Sequence, residues 1–286
     1  MNKILKKESL SDDVFRFTLE APAIAKSRKP GQFIILMIAD EYDERIPLTI
    51  ADADEKKGTV NIIFQVVGST TRKLSHMEEG DALAHVLGPL GKPTHIEKKE
   101  GTVICVGGGI GAAPLFPIVQ ANKKMGNRVI TILGARSEEL MILKKEMDEN
   151  SDELILCTDD GSLGRKALVT EPLKELAEKG DVSEVVAIGP PIMMKFASLT
   201  TKPFHIPTVV SLNTIMVDGT GMCGGCRVNV GDETKFVCVD GPEFDGHKVD
   251  FDGMILRQSS YKEQEEHCCK MTATAERLVA NEKEAG

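Results

Sequence analysis

The sequence predicts three segments along the chain: a β-barrel, a doubly wound parallel α/β sheet, and a small third domain with little regular structure. Short runs rich in Val, Ile, Leu and Phe, split by glycine, proline and charged turns, fill residues 1–97. From Gly101 onward, strand-like runs alternate with helix-like runs. From residue 208 this alternation stops, and a glycine-rich stretch with three cysteines follows.

Composition excludes several classes of protein. The 286 residues carry a net charge of −9 and are 41% hydrophobic, so the chain can bury a core. The acidic balance and the absence of tryptophan argue against nucleic acid as a partner. No run approaches eighteen apolar residues, and the N-terminus lacks the apolar run of a secretory signal. We therefore expect no membrane span.

The cysteine count indicates the redox compartment. Seven is an odd number for a disulfide framework, and a chain of this length does not need one. A reducing cytoplasm is the expected location, where clustered cysteines are more often metal ligands or reactive groups. Cys105 and Cys157 lie in apolar runs and are expected in the core, whereas Cys268 and Cys269 have no predicted role.

Five strand-like runs predict the barrel of residues 1–97, because many short strands at close, even spacing are typical of small barrels. The runs read DVFRFTLEA, GQFIILMIA, IPLTIADAD, GTVNIIFQVV and DALAHVLGP. The stretch STTRKLSHMEEGD between the last two predicts one short helix.

Alternating strands and helices predict the α/β sheet of residues 98–207, since such alternation requires parallel pairing. The strand-like runs read GTVICVGG, NRVITILGA, ELILCTD and SEVVAIG. The helix-like runs read IGAAPLFPIVQANKKMG, SEELMILKKEMDEN, ALVTEPLKELAEKG and PIMMKFASLT.

Three loops at strand ends predict a nucleotide site on this sheet. The turn CVGGGIGAAP joins a strand to a helix, where glycines and a helix N-terminus suit a pyrophosphate. The loops CTDDGSLG and IGPPIMM fall at equivalent strand ends. The acidic residue that usually follows the second strand is replaced by Arg136 and Ser137, so the pattern does not decide between NAD and NADP. A tight turn without a ligand is the alternative.

The stretch MVDGTGMCGGCRVNVGDETKFVC predicts a metal centre in residues 208–254. Cys223, Cys226 and Cys238 have the spacing C-x2-C-x11-C. An iron–sulfur cluster needs four protein ligands, and plant-type clusters place the first of them five residues before the C-x2-C pair. Asp218 occupies that position. A zinc site, or Asp218 as a simple turn residue, is the alternative. Residues 255–286 predict a charged helical tail.

Taken together, the motifs resemble the ferredoxin reductase superfamily. They are R-x-P-L-T, GPLG, G-G-G-x-G-x-x-P, T-D-D-G-S, G-P-x-x-M-M and the cysteine stretch, and they cover residues 1–255. The order is similar to the electron-transfer subunits of dihydroorotate dehydrogenases. It is more similar to the small subunits of NADH-dependent reduced ferredoxin:NADP oxidoreductases, also described as sulfide dehydrogenase small subunits.

The resemblance implies an FAD site in the barrel. Arg45 would meet the phosphates, although it lies four residues before Thr49 where the superfamily usually has three. The isoalloxazine ring would lie along Pro47, Leu48 and Thr49. The residues implied for the rest of the flavin are Gln65 and Val66 against the ring, and Ser69, Thr70 and Thr71 at the pyrophosphate.

The resemblance also implies residues for NAD(H) and for a 2Fe–2S cluster. Those under the nicotinamide nucleotide would be Gly108, Gly109, Ile110, Gly111 and Pro114, with Asp159, Asp160, Gly189 and Pro190 at the ribose or nicotinamide. Many relatives have a cysteine where this chain has Ile188. The small subunits of the ferredoxin:NADP enzymes resemble this chain in having aspartate at the first cluster position, which implies Asp218, Cys223, Cys226 and Cys238 as ligands.

The implied function is electron transfer. NAD(H), with NADP(H) left open, would exchange hydride with FAD, and electrons would pass through the 2Fe–2S cluster to a larger flavin- and iron–sulfur-bearing subunit. Ferredoxin would be reached through that complex, with electron bifurcation. No side chain is required as a general acid or base. The alternatives are a dihydroorotate dehydrogenase electron-transfer subunit and a non-catalytic metal-binding scaffold.

Overall fold

An antiparallel barrel forms the N-terminal part of the computed structural model, which describes residues 2–39, 43–261, 263–265, 267 and 270–271. The barrel strands are β1 (Asn2–Ser11), β2 (Val14–Glu20), β3 (Phe33–Met37), β4 (Ile46–Asp54), β5 (Thr59–Gln65), β6 (Ala82–Leu83) and β7 (His85–Leu90). Two short helices, α1 (Pro22–Ser27) and α2 (Ser69–Ser75), connect them.

The barrel strands follow the order β6-β1-β2-β5-β4-β3-β7, and every pair is antiparallel. Because β6 and β7 are joined by a single residue, the two ends of the sheet come close and the barrel nearly closes. Its interior holds large aliphatic and aromatic side chains that alternate along the strands, among them Phe17, Ile34 and Phe64.

A second sheet with helices follows the barrel. Its strands are β8 (Thr102–Gly108), β9 (Arg128–Ala135), β10 (Glu153–Thr158), β11 (Arg165–Lys166), β12 (Val182–Ile188) and β13 (Thr208–Ser211). The helices are α3 (Ala112–Lys124), α4 (Lys144–Glu149), α5 (Thr170–Lys179) and α6 (Pro191–Thr201). Gly126 follows α3 with φ 84°, and Gly180 ends α5 with φ 79°, which are conformations that favour glycine after a helix.

One predicted helix is broken. The stretch SEELMILKKEMDEN predicts a single helix, but a 3₁₀ turn at Glu138–Leu140 precedes the short α4, and Leu143 adopts φ 58° between them. The consecutive residues Met141, Ile142 and Leu143 are all buried. Successive residues of an α-helix point about 100° apart, so one continuous helix could not bury all three.

The third segment combines new elements with strands of the second sheet. It contributes the hairpin β14 (Arg227–Val230) and β15 (Glu233–Phe236), the short helix α7 (Val237–Asp240), β16 (Glu243–Asp245) and α8 (Phe251–Gln258). Both β13 and β16 extend the α/β sheet, with β16 antiparallel to β13. The division into residues 1–97, 98–207, 208–254 and 255–286 stays a prediction.

Shared hydrophobic clusters join the three segments. On one side of the α/β sheet, the barrel residue Ala51 packs in the same cluster as Ala112 and Ile188. On the other side, the barrel residue Ile35 packs in the same cluster as Cys226 and other side chains of the third segment. The barrel and the cysteine segment therefore both pack against the nucleotide-binding sheet predicted from sequence.

The C-terminal end of the chain is described only in part. The predicted charged helix begins within α8, and residues Cys268 and Cys269 and everything after residue 271 lie outside the described residues. Cys105 and Cys157 are buried, as expected. Among the described residues, no helix combines the length and the apolar composition that crossing a membrane requires.

Candidate functional site

The α/β sheet reverses its strand order between β8 and β12. The strands β9 and β10 follow β8 on one side of the sheet, whereas β12 pairs with the opposite side of β8. Open parallel sheets bind ligands in the crevice outside the carboxyl ends of the strands at such a reversal. Gly107, at the end of β8, pairs with Ile188, at the end of β12. Both predicted turns therefore begin at this crevice.

The two turns touch each other through their backbones. A Cβ atom added to Gly111 would lie 2.3 Å from the carbonyl oxygen of Ile188 and 2.8 Å from the Cα of Gly189. One added to Gly108 would lie 2.5 Å from the Sδ of Met193 and 3.1 Å from the Cδ of Pro190. At Gly111 only glycine fits without displacing the opposite turn, whereas a Cβ at Gly108 would require the Met193 side chain to move.

The glycine turn leads directly into α3. Gly109 has φ 55° and open space where a side chain would point, and a 3₁₀ turn over Gly109–Gly111 precedes the helix. Ile110 packs against the hydrophobic cluster beneath this turn, and Pro114 lies in the first turn of α3. The first-turn N–H groups of a helix lack intrahelical acceptors and attract anions. The structure thus brings the predicted Gly108–Pro114 stretch together with Gly189 and Pro190.

The predicted Asp159 and Asp160 follow β10, two strands away from β8. Asp160 is exposed, and its carboxylate accepts hydrogen bonds from the backbone N–H of Ser162 (2.9 Å) and the Ser162 hydroxyl (2.7 Å). These hydrogen bonds lower the pKa of Asp160. The Asp160 carboxylate thus stabilises the turn that contains it. The backbone N–H of Asp159 donates to the Ala135 carbonyl oxygen at 3.1 Å.

The start of β4 divides the predicted flavin residues between two faces. Successive strand residues point to opposite faces. Leu48 packs against the barrel core, so Pro47 and Thr49 point away from it. Thr49 pairs with Phe33 and Pro47 pairs with Ile35 on β3. Of Leu48, only the backbone would be available to a flavin on the outer face.

The other predicted flavin residues lie at the end of β5 and on α2. Gln65 Nε2 donates to Asp13 Oδ2 at 2.7 Å, and Val66 follows it half-buried. The hydroxyl of Thr71 accepts the backbone N–H groups of Val67 and Gly68, both at 3.0 Å. These contacts fold the loop so that α2 begins at Ser69.

Two more predicted flavin residues border this loop. The hydroxyl of Thr70 donates to Glu44 Oε2. Arg45 is exposed just before β4.

The predicted cluster ligands fall into two pairs. Cys226 and Cys238 are both 1% exposed, and their Sγ atoms are 3.2 Å apart. A disulfide would need about 2.05 Å, whereas two thiolates on one tetrahedral metal stand about 3.7 Å apart. The half-buried Asp218 and the exposed Cys223 form the other pair, because Asp218 Oδ2 accepts the backbone N–H of Cys223 at 3.1 Å.

The hairpin β14–β15 explains the long spacing between Cys226 and Cys238. It leaves directly after Cys226 and returns so that Arg227 pairs with Phe236. The N–H of Val237 then donates to the Cys226 carbonyl oxygen at 3.2 Å. Eleven residues are therefore the length of chain that brings the third cysteine back to the second.

Glycines and thiols line residues 218–226, which we call the ligand loop. Gly219, Gly221 and Gly224 adopt φ values between 66° and 84°. The N–H of Gly225 lies 3.4 Å from the Sγ of Cys223, close enough for a weak N–H···S bond. Burial, together with the neighbouring Cys226 thiol, raises the pKa of Cys238 to about 12. Thiolate at this position therefore requires a bound cation, since metal coordination deprotonates thiols.

In the described part of the chain, no three His, Cys, Asp or Glu side chains converge closely enough to hold one ion. Two separate pairs are the arrangement that a two-iron cluster takes, with two protein ligands on each iron.

Sequence reasoning missed three residues around the ligand loop. Arg227 Nη1 donates to the Gly224 carbonyl oxygen at 3.1 Å, and Arg257 Nη2 donates to the Gly225 carbonyl oxygen at 3.2 Å. Gln258 Nε2 donates to the carbonyl oxygen of Asn213, where the cysteine segment begins. Arg257 and Gln258 come from α8, more than thirty residues along the chain, so no local pattern could reveal them.

Glu243 is a half-buried residue where the barrel, the α/β sheet and the cysteine segment meet. The hydroxyl of Thr94 donates to Glu243 Oε1, and the same oxygen lies 2.8 Å from where a Cβ on Gly31 would be. Burial raises the pKa of Glu243 to about 7, the negative charge of Glu184 adds to the shift, and the Thr94 hydroxyl opposes it. Glu243 is therefore protonated in mildly acidic solution.

Replacing Glu243 by glutamine is expected to remove a pH dependence of stability. The unfolded carboxyl loses its proton near pH 4.5, whereas folded Glu243 keeps it up to about pH 7. The folded state thus holds more protons in that interval, and stability falls by up to about 3 kcal/mol as the pH rises. Urea unfolding between pH 5 and 7.5 should show this slope in the wild type and in Glu149→Gln, but not in Glu243→Gln. Equal slopes in all three proteins would contradict it.

The fold and the cysteine loop define the class: an oxidoreductase chain of ferredoxin reductase-like architecture with an iron–sulfur binding domain. The family described as the oxidoreductase NAD-binding domain matches residues 105–199. The family described as the iron–sulfur cluster binding domain of dihydroorotate dehydrogenase B matches residues 213–250. The second match includes every predicted cluster ligand.

Whole-chain similarity shows the family. The dihydroorotate dehydrogenase B (NAD(+)) electron transfer subunit homolog of Thermotoga maritima is 47% identical over 265 residues, 93% of either chain. The chain belongs to the family of dihydroorotate dehydrogenase B electron transfer subunits and their homologues.

Solved structures agree with this assignment. A chain from a structure of the NADH-dependent reduced ferredoxin–NADP oxidoreductase, studied for flavin-based electron bifurcation, is 43% identical. It superposes with a TM-score of 0.90 over 98% of both chains. The ferredoxin reductase in carbazole 1,9a-dioxygenase is 17% identical, with a TM-score of 0.61 over 72% of this chain and 65% of its own. The second likeness supports the fold alone.

The comparisons confirm the predicted resemblance and the predicted fold class. They also confirm the broad functional prediction, that the chain is an electron-transfer subunit with iron–sulfur and NAD-binding domains. The individual site residues stay predictions.

Proposed function

We propose that this chain takes electrons from NADH through a bound FAD and delivers them singly, through a 2Fe–2S cluster, to a larger partner subunit. Bound flavin supplies the conversion of a hydride into single electrons, and the cluster carries one electron at a time. The chain's own residues bind these groups, orient them and hold them close together. The cytoplasmic location expected from the cysteine count stays part of the proposal.

One contact carries the proposal. Gly219, next to the predicted ligand Asp218, packs against the barrel so closely that an added Cβ would lie 2.9 Å from Ile35 Cγ1. Ile35 is paired with Pro47 on the neighbouring strand β4, which carries the predicted flavin residues. Paired residues of antiparallel strands lie about 4.5–5.5 Å apart. A single strand, β3, thus separates the ligand loop from β4, the strand with the predicted flavin residues.

The nicotinamide half of the proposed path begins at the crevice between β8 and β12. Gly108, Gly109 and Gly111 let the backbone approach a pyrophosphate, and the first turn of α3 favours its charge. Gly189 and Pro190 form the opposite wall. β4 packs on α3, and Ala51 of β4 shares a cluster with Ile188, so the flavin strand lies beside this crevice.

The flavin half rests on the outer face of β4 and on α2. Pro47 and Thr49 point away from the barrel core, which leaves an apolar surface and a hydroxyl for an isoalloxazine ring. Gly68 has open space around its Cα, and the first-turn N–H groups of Ser69, Thr70 and Thr71 suit a pyrophosphate. The exposed Arg45 adds a positive charge at the start of β4.

The donor set fits a 2Fe–2S cluster. Cys226 and Cys238 would hold the buried iron, and Asp218 with Cys223 would hold the iron nearer the surface. A carboxylate is a harder ligand than a thiolate, so we expect a potential different from that of an all-cysteine site. The N–H of Gly225 near Cys223 Sγ would further tune that potential.

The surface above the proposed cluster suits a partner subunit. Met222, next to the exposed Cys223 in sequence, is 89% exposed. Val217, which lies near Gly225, is 55% exposed. Exposed apolar residues around a redox group favour docking of another protein. We propose that the partner is the larger flavin and iron–sulfur subunit of an NADH-dependent reduced ferredoxin:NADP oxidoreductase. Ferredoxin would act through that subunit, with electron bifurcation.

Electron transfer for dihydroorotate oxidation is the second candidate, because the relatives bear that name. Asp218 favours the ferredoxin:NADP complex, since dihydroorotate-type subunits resemble each other in having four cysteines at the cluster. Ile188 also favours it, because many relatives have a cysteine at that position. The purified complex separates the two. Activity with dihydroorotate as electron donor would select the second candidate. NADP reduction that requires both NADH and reduced ferredoxin would select the first, with bifurcation.

An anaerobic titration of the purified chain with NADH tests the path inside it. We expect the flavin absorbance at about 450 nm to bleach and a reduced-cluster signal to appear in electron paramagnetic resonance. NADH should reduce the flavin without the partner subunit, because the proposed nicotinamide and flavin sites both belong to this chain. Folded, iron-replete protein without flavin colour, and without a cluster signal even after dithionite, would overturn the proposal and favour a metal-binding scaffold.

A further inference from the structure

Helix α8 (Phe251–Gln258), which follows the predicted ligands along the third segment, packs against the loop that contains Cys223 and Cys226. Phe251 and Met254 are buried in the same hydrophobic cluster as Cys226 and Cys238. The helix begins at a capped N-terminus, where Asp250 Oδ1 accepts the N–H of Gly253 at 2.9 Å. Its last turn points toward the ligand loop and ends in polar side chains rather than in apolar ones.

Arg257 reaches the middle of the loop. Its guanidinium donates to the carbonyl oxygen of Gly225, which lies between Cys223 and Cys226. The N–H of the same glycine points at Cys223 Sγ, 3.4 Å away. Both polar groups of Gly225 are therefore bonded, one to a ligand sulfur and the other to Arg257.

We infer that Arg257 is a positioning residue for the cluster, which holds the Cys223–Cys226 loop through the Gly225 carbonyl and raises the reduction potential of the cluster through its positive charge. This inference rests on the proposed function, because it concerns the proposed 2Fe–2S cluster.

The electrostatic part follows from the charges at the site. Three thiolates and the Asp218 carboxylate give the ligand set four negative charges, and one-electron reduction of a ferric iron to ferrous adds another. A nearby cation stabilises the more negative state, so it favours reduction. Arg257 is half-buried, which limits screening by salt. Arg227 on the neighbouring Gly224 carbonyl acts in the same direction, but it is exposed.

The positioning part follows from the hydrogen bonds. Hydrogen bonds to cluster sulfurs contribute to the potential and to retention of the metal. If Arg257 is lost, the Gly225 carbonyl loses its partner and the loop gains freedom. The N–H···S contact to Cys223 then weakens as well. Both effects lower the potential and expose the iron.

Substitution at Arg257 separates charge from hydrogen bonding. Arg257→Gln keeps a donor and removes the charge, whereas Arg257→Lys keeps the charge and removes the planar guanidinium. Lys248→Met removes a charge from an exposed side chain of the same segment, where the Lys248 ammonium faces Asp245, and serves as the matched control. Two quantities are measured on the purified chain: the cluster potential, by dithionite titration followed by electron paramagnetic resonance, and the rate of iron release to a chelator.

In Arg257→Gln, we expect the ratio of reduced to oxidised cluster at a fixed ambient potential to fall about threefold to tenfold. For a one-electron couple this is a shift of about 30–60 mV to more negative values. Arg257→Lys keeps the charge, so its potential should fall less than that of Arg257→Gln. It should release iron about tenfold faster than the wild type, because the Gly225 carbonyl loses the planar guanidinium that holds it. Lys248→Met should match the wild type in both quantities.

The inference is overturned if Arg257→Gln matches Lys248→Met in potential and in iron release. If Arg257→Gln fails to fold, Arg257→Lys carries the test, and an iron-release rate equal to that of Lys248→Met overturns it. A wild-type chain without any reduced-cluster signal is a different outcome, because it contradicts the proposed function itself.

Discussion

Replacing Cys226 by serine is expected to abolish the reduced-cluster signal while leaving NADH-dependent flavin reduction in place. Cys226 is 1% exposed and its Sγ lies 3.2 Å from Cys238 Sγ, so it belongs to the buried pair of predicted ligands. Serine at this position has a hydroxyl whose proton is held far more tightly than that of a thiol, and the iron would keep only one strong protein ligand. We expect cluster content below about a tenth of the wild type, since loss of a ligand removes most of the binding free energy.

Three further variants make this first prediction decisive. Cys223→Ser should lose the same signal, and because Cys223 is exposed, the substitution leaves the packed interior intact. Cys157→Ala, buried in the α/β sheet, should keep the signal. Asp218→Cys completes a four-thiolate set and should keep a cluster with an altered resonance spectrum. A full wild-type signal in Cys226→Ser would refute the ligand assignment. Loss of the signal in Cys157→Ala would point to general unfolding instead.

Replacing Gly111 by alanine is expected to weaken NADH binding without affecting the cluster. The new Cβ would lie 2.3 Å from the Ile188 carbonyl oxygen, and backbone cannot move aside as a flexible side chain can. Relief of the clash has to separate the two turns that form the proposed nucleotide crevice. Overpacking of this kind costs about 1–3 kcal/mol, so NADH affinity should fall about tenfold to 100-fold. Stopped-flow flavin reduction at varied NADH concentration measures the effect.

The control for Gly111→Ala is Gly180→Ala. Gly180 has φ 79° and nothing within 4 Å of an added Cβ, so alanine there introduces backbone strain without a clash. That variant should lose about 1–2 kcal/mol of stability and bind NADH normally. The cluster signal after dithionite should be unchanged in both variants. If Gly111→Ala reduced its flavin at wild-type NADH concentrations, the crevice between β8 and β12 would not be the nicotinamide site.

The predicted cluster ligands show how much a local pattern can determine. The predicted ligands Cys226 and Cys238 come together through the hairpin β14–β15, although the sequence predicted little regular structure in this segment. The glycines with positive φ around Cys223 have a local origin. The two glycine-containing turns were also predictable, since strands of a doubly wound sheet place their carboxyl ends along one edge.

Burial and orientation were less accessible to sequence reasoning. Leu48 stands between Pro47 and Thr49 in the predicted flavin motif, but strand alternation directs its side chain into the barrel. The predicted helix around Met141 is broken, because three successive apolar residues are buried together. In both cases the residue types were apparent from the sequence, whereas the direction of each side chain depended on which surface the neighbouring elements covered.

By itself, the sequence determined the order of the segments, the ligand spacing and the glycines that permit close backbone approach, because each of these depends on residues near one another along the chain. Only the tertiary structure decided that Gly219 packs on Ile35, that Glu243 accepts a hydrogen bond from Thr94, and that Arg257 donates to Gly225. Those contacts join residues 32 to 184 positions apart. They exist because the hydrophobic clusters of three segments pack together, and burial of apolar surface specifies no particular partner along the sequence.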